Sequence, residues 1–177
     1  ISPPRTMMEL YDMLPEGTLA ELIDNQIYMS PAPLFKHHKI TKAISKQLDK
    51  IIEDTGKGIV IYAPFDVKLD KTRNAVQPDI FIILKTNPNQ IEDDRYTGVP
   101  DLIVEILSKG NKDHDLITKK ELYEKFGVQE YWVVDPETKL AIGFSLKEKQ
   151  TNSYQYQKIN AAIAKIQSPF LQTNFEF

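Results

Sequence analysis

The sequence predicts a mixed α/β fold, a sheet flanked by helices, and three observations predict it. The runs Ile80-Phe81-Ile82-Ile83-Leu84 and Leu102-Ile103-Val104-Glu105-Ile106-Leu107 are apolar at nearly every position, as strands buried on both faces are. The stretch from Phe35 to Asp54 instead carries its apolar residues at helical spacing. Helix-like and strand-like segments also alternate along the chain, the pattern that places helices on the faces of a mixed sheet.

Taken in order, Met7 to Leu14 reads as a short helix stopped by Pro15. Leu19 to Ile23 and Gln26 to Ser30 flank the turn dipeptide Asp24-Asn25 and read as a hairpin. Pro31 and Pro33 break the chain before the helix from Phe35 to Asp54, which has Ile40, Ala43, Ile44, Leu48, Ile51 and Ile52 on one side. Lys39, Lys42, Lys46 and Lys50 form a stripe on the other, either a solvated face or a phosphate-contacting rim. Strand-like stretches follow at Ile59 to Leu69, Asp79 to Leu84 and Leu102 to Leu107, separated by polar loops over Asp70 to Asn74 and Lys85 to Gly98. A second helix spans Asp115 to Phe126 and stops at Gly127. Strands are expected again at Glu130 to Val134, Leu140 to Leu146 and Ser153 to Gln157, with Ala161 to Gln167 as a candidate fourth, and Asp135-Pro136-Glu137-Thr138 as a turn. No repeat, low-complexity block or linker divides the 177 residues, so a single domain over 1–177 is the economical reading.

Composition narrows the function classes. The chain is 41% hydrophobic and 27% charged, ordinary for a soluble globular protein. No apolar run approaches the ~20 residues of a membrane-spanning helix, and no charged start followed by an apolar stretch suggests a signal peptide. Cysteine is absent, which excludes disulfides and thiolate metal sites and fits a cytoplasmic location. A net charge of −3 argues against a protein that coats nucleic acid through bulk charge, though not against an enzyme that meets it on a local patch.

Three ionisable residues stand where ionisable residues are expensive. Glu105 sits in the middle of an apolar strand, where an uncompensated carboxylate costs several kcal/mol. It is either half of a structural ion pair or a metal ligand or catalytic acid. Asp79 opens the run Ile80 to Leu84. Alone it reads as well as a strand-end cap, but beside Glu105 on a neighbouring strand it completes a carboxylate pair able to hold one Mg²⁺. On the second helix, Leu122, Tyr123 and Phe126 lie within about 60° of Lys119 at about 100° per residue, so Lys119 points inward. It either snorkels outward or pairs with the two carboxylates, where it would orient water and stabilise phosphoryl charge.

These residues resemble a known family. Pro78-Asp79, Asp101 to Ser108, Asp115…Lys119…Tyr123 and Gly127-Val128-Gln129-Glu130-Tyr131-Trp132-Val133-Val134-Asp135-Pro136 resemble the Uma-type endonuclease family, formerly a domain of unknown function. Glu21-Leu22-Ile23-Asp24…Met29-Ser30-Pro31…His37 resembles its opening motif, and the likeness runs from about Met7 to Leu146. The family lies in the PD-(D/E)XK restriction-endonuclease-like superfamily. The resemblance implies a restriction-endonuclease-like core, with Mg²⁺ (or Mn²⁺) as cofactor, Asp79 and Glu105 as metal ligands and Lys119 as the catalytic lysine. Glu21 would assist the metal or its water, and His37 matches a histidine near the site, although a hydrogen-bonded core histidine explains it as well. The superfamily's lysine usually lies two residues after the second acid, where this chain has Leu107. In this family it resembles a lysine moved to the following helix.

The leading expectation is therefore a metal-dependent DNA endonuclease. A nuclease-fold module that binds nucleic acid or regulates without useful catalysis is the alternative, and a purely structural cluster of Asp79, Glu105 and Lys119 is the third reading. Nucleic acid, DNA foremost, is the expected partner, with a homodimer a further option through the β-rich C-terminal region.

Overall fold

The computed structural model describes residues 3–108, 110, 112–149 and 153–177. Its centre is a six-stranded sheet of β3 (Gly58–Tyr62), β6 (Ile80–Leu84), β8 (Leu102–Ile106), β9 (Glu130–Val134), β10 (Leu140–Lys149) and β11 (Ser153–Ile163). They lie in the order β11-β10-β9-β8-β6-β3, with β8 and β9 parallel and the other neighbours antiparallel. A five-stranded sheet, β2-β1-β5-β4-β7, consists of β1 (Ala20–Ile23), β2 (Gln26–Met29), β4 (Val67–Lys68), β5 (Ala75–Val76) and β7 (Tyr96–Thr97). The pair β12 (Lys165–Ser168) and β13 (Thr173–Glu176) completes the strands.

Side-chain alternation along the central strands builds two apolar layers. Ile80, Ile82, Leu102, Val104, Ile106, Trp132 and Val134 pack on one face with Ile40, Ile44, Leu48 and Ile52 of α2 (Phe35–Ile52). Phe81, Ile83, Ile103, Tyr131 and Val133 pack on the other with Leu122 and Tyr123 of α3 (Lys120–Phe126) and with Ile23, Val67 and Val76 of the smaller sheet. α1 (Met7–Asp12) covers the outer side of that sheet, packing Met8 and Tyr11 on Ala20, Leu22 and Ala75. No helix among the described residues is long and apolar enough to cross a membrane.

Several expectations hold with small changes of boundary. The hairpin turns at Asp24 (φ 46°) and Asn25 (φ 66°), both left-handed, as a two-residue turn matched to strand twist requires. Gly127, at φ 87°, ends α3 where a side chain would strain the backbone. The lysine stripe of α2 is exposed throughout.

Others are corrected. The run Ile59 to Leu69 is not one strand: pairing with β6 stops at Tyr62, just before Ala63-Pro64, and the chain resumes as β4 in the other sheet. The polar segments hide the two-residue strands β5 and β7, which follow or sit inside the expected loops. Ala161 to Gln167 is two pieces, the end of β11 and most of β12, joined through Ala164 at φ 54°. The second helix enters α3 through a π-helical segment, His114–Lys119.

Two buried residues make the sheet testable. Gly143 lies opposite Trp132, and a Cβ there would meet its ring carbons at 2.6 to 2.7 Å. Gly143→Ala should therefore cost about 1–3 kcal/mol in urea unfolding; an unchanged midpoint contradicts this packing. Glu130 is fully buried, accepting from Trp132 Nε1 at 2.6 Å and the Phe170 N–H at 3.1 Å. Burial raises its carboxyl above the usual 4.5 despite the lowering effect of those bonds. A raised folded value means that its favourable contribution is present below that usual value and is lost as pH climbs through the folded one. Wild type should thus lose stability relative to Glu130→Gln as pH rises from acid to neutral; a pH-independent difference contradicts it.

Candidate active site

The strand register brings the first two acids together. β6 and β8 pair antiparallel, Ile80 against Val104 and Phe81 against Ile103, and continuing that register by one pair sets Asp79 opposite Glu105. By alternation both share the face of Phe81 and Ile103, toward α3 and away from α2. In β1, Leu22 faces α1, so Glu21 shares the opposite face with Ile23 and turns toward the same space. Two sheets and one helix thus aim acidic side chains at one point.

Lys119 stands at that point. It does not snorkel: the residue is 6% exposed, and its Nζ lies 3.0 Å from Glu105 Oε1, 3.0 Å from Glu21 Oε1 and 3.5 Å from Asp115 Oδ1. Tyr123 OH also donates to Glu105 Oε1, at 2.8 Å, and the Gln77 N–H donates to Glu21 Oε1 at 3.0 Å. Asp79 is held differently. Its Oδ2 accepts from the Ile106 N–H at 2.7 Å and lies 3.1 Å from His37 Nε2, while its own N–H reaches Glu105 Oε2 at 3.3 Å. Both side-chain contacts thus fall on Oδ2.

His37 is buried, which suits both of its readings, and it touches Asp79. All five expected residues, Glu21, His37, Asp79, Glu105 and Lys119, line one cleft of about 820 Å³. Asp115, which stood in the family motif without a role, and His114, which was not named beforehand, line it too. The signal for Asp115 was its place four residues before Lys119, one turn away on the same face. The signal for His114 was weak. Its Nε2 lies 3.5 Å from Glu21 Oε2, too long for a good hydrogen bond.

The electrostatics follow from four carboxylates around one ammonium. Burial raises Glu105 well above the usual carboxylate range; Lys119 opposes the rise, while Asp79, Asp115 and Glu21 add to it. Asp115 is raised for the same reasons, burial first. Burial also pushes Glu21 up, but Lys119 and the Gln77 N–H prevail and hold it below its usual value. Burial alone would lower Lys119; Glu105, Glu21, Asp115 and Asp79 instead drive it well above the ordinary lysine value. His37 is raised, because Asp79 outweighs its burial.

Among the described residues no three His, Asp or Glu side chains are disposed to close on one metal ion. The donors at hand are carboxylate oxygens in excess over the positive charge that faces them. Such a set suits a hard cation that takes one or two carboxylates and keeps water for its other positions, so Asp79 and Glu105 fit Mg²⁺ or Mn²⁺ as a two-carboxylate site.

The arrangement defines a mixed α/β nuclease fold with an acidic, lysine-centred cleft. The chain belongs to the Uma2 family, described as "Putative restriction endonuclease", whose model matches residues 7–177. Among solved structures it is similar to a "putative nuclease belonging to DUF820" from Anabaena variabilis, at 17% identity and a TM-score of 0.72, over 96% of this chain and 92% of that one. At that identity the likeness shows the fold. No curated protein matches the chain.

The ion-pair geometry predicts a large penalty for removing its cation. Lys119→Met leaves the buried carboxyl groups of Glu21, Glu105 and Asp115 without their shared cation and should cost about 3–5 kcal/mol of unfolding free energy at neutral pH. Adding Glu105→Gln to that variant should restore part of the loss. Equal stability of Lys119→Met and wild type in urea would show that Lys119 is not the centre of this network.

Proposed function

We propose that this protein is a metal-dependent phosphodiesterase acting on nucleic acid, a DNA endonuclease in the first instance. The observation that carries the reading is the placement of Asp79 opposite Glu105, with Lys119 3.0 Å from Glu105 Oε1, inside an open cleft. Family membership supports a nuclease, and the acidic donor set supports a divalent cation.

Asp79 and Glu105 would hold the ion. When bound, Mg²⁺ neutralises the scissile phosphate and lowers the pKa of a coordinated water. The protein's own groups do the rest. His37 and the Ile106 N–H fix Asp79 through Oδ2 and so orient the carboxylate. Tyr123 and Lys119 do the same for Glu105 through Oε1. Lys119, held protonated by the surrounding carboxylates, serves as a fixed positive charge rather than a base, placed to steady negative charge that develops on the phosphoryl oxygens. Glu21, kept ionised by Lys119 and Gln77, tethers the ammonium from the opposite sheet and would assist the metal or its water.

The closed contact of Lys119 with Glu21 and Glu105 also suits a module that binds nucleic acid without cutting it. Plasmid cleavage separates the two readings. Wild type should nick supercoiled DNA with Mg²⁺ or Mn²⁺ and stop in EDTA, and Glu105→Gln should lower the rate at least roughly a hundredfold, since a metal supplies several kcal/mol of charge stabilisation. Wild-type rates from the variant would refute the catalytic assignment; no cleavage by wild type, with binding retained, would favour the binding module.

A further inference from the structure

The mouth of the cleft has a wall that hydrolysis alone does not explain. Leu34 and Phe35, where α2 begins, are 65% and 75% exposed, and both line the cleft that holds Asp79 and Glu105. With Lys39 as reference and about 100° per residue, Phe35, Lys42, Lys46 and Lys50 fall within about 60° of it on one face of α2. His37 falls on the far side, turned to Asp79. One helix face thus carries an aromatic ring at the cleft and four lysines leading away from it. Lys39 Nζ already sits 5.8 Å from the centre of the Phe35 ring. Among the described residues, Lys39, Lys42, Lys46 and Lys50 make no ion pair, whereas Lys36 and Lys112 at the same mouth are paired with Glu137 and Asp135. Asp49 and Glu53 dilute the charge toward the far end of α2, so the cationic stretch is strongest from Lys39 to Lys46, next to Phe35.

We propose that this face of α2 is a strand-binding track that delivers an unpaired nucleobase onto Phe35, so that the substrate at the cleft is single-stranded or locally unpaired nucleic acid. The proposal rests on the nuclease reading and sharpens its substrate class. Lysines at intervals of three and four residues match a phosphate backbone, which they recognise without regard to sequence. An exposed aromatic ring matches the face of a base, and bases stack on such rings irrespective of identity. A paired base inside a duplex hides both of its faces between neighbours, so Phe35 can stack only on one that is unpaired or terminal. Charge and ring on a single helix face supply both halves of single-strand recognition, and Phe35, at one end of that face, lines the cleft that holds Asp79 and Glu105. Recognition of this kind serves DNA and RNA alike.

The test is equilibrium binding without turnover. Metal-free Glu105→Gln protein in EDTA is titrated with a fluorescent 20-nucleotide single strand carrying 2-aminopurine, in deoxy and ribo forms, and with the duplex of the same sequence closed at both ends by covalent linkers so that no base is unpaired or terminal. The single strand should bind at least about tenfold tighter than the duplex, with quenching of 2-aminopurine as it stacks. Adding Phe35→Ala should weaken single-strand binding about tenfold, the scale of one lost base stack, and abolish the quenching, while leaving the duplex unchanged. Phe35→Trp should restore both. Lys39→Ala with Lys46→Ala should weaken binding and flatten its salt dependence. Preference of one sugar form over the other identifies the physiological strand and leaves the proposal standing. Equal binding of single strand and duplex, absent quenching, or Phe35→Ala binding like its parent would overturn it. So would a dimer in sedimentation that Phe35→Ala dissociates, which would make this wall a contact between copies. Because no step is catalytic, binding as described with a wild type that never cleaves would refute the nuclease reading and not this one.

Discussion

Everything at the cleft depends on a single ammonium surrounded by acids. Lys119 is buried and faces Glu21, Glu105 and Asp115, so its charge is the reason that carboxylates from two sheets can approach one another at all. Without it, ionised Glu21 and Glu105 would repel in a medium of low dielectric, where like charges are expensive. The π-helical segment from His114 to Lys119 puts two of the participants, Asp115 and Lys119, on the same inward side. Such segments are rare in helices and recur at functional sites.

The rest of the fold is arranged to make that contact. The central strands are buried on both faces, so alternation leaves no neutral choice: each residue belongs to the α2 layer or to the α3 layer. Glu105 belongs to the α3 layer, among Ile103, Tyr123 and Tyr131, and a carboxylate there must be bonded or neutralised. Lys119 and Tyr123 supply the bonds, yet burial and the neighbouring carboxylates still hold the Glu105 carboxyl well above the usual range.

What could be read from the sequence follows from the same physics. Glu105 and Lys119 were visible because each breaks a local pattern, one an apolar strand and the other an apolar helix face. Asp79 was visible only through Glu105, since a carboxylate at a strand start is unremarkable alone, and their pairing needed the β6–β8 register that no local pattern encodes. Asp115 was marked by the family likeness but given no role, because it begins the helix, where an acidic residue is common for reasons of dipole and capping. The two-residue strands β5 and β7 were hidden because so short a segment carries no periodicity; long-range partners alone hold them. The two-sheet arrangement that brings Glu21 to the lysine was therefore beyond local reading, although Glu21 itself was marked by the family likeness.

The central claim is that Asp79 and Glu105 together hold a divalent cation. Calorimetric titration of Mn²⁺ into wild type, Asp79→Asn and Glu105→Gln tests it without reference to any substrate. The account predicts one binding event in wild type that either substitution abolishes or weakens at least about tenfold, the scale on which even supporting residues alter metal affinity. Binding of equal strength and stoichiometry in all three proteins would place the ion elsewhere and contradict the account.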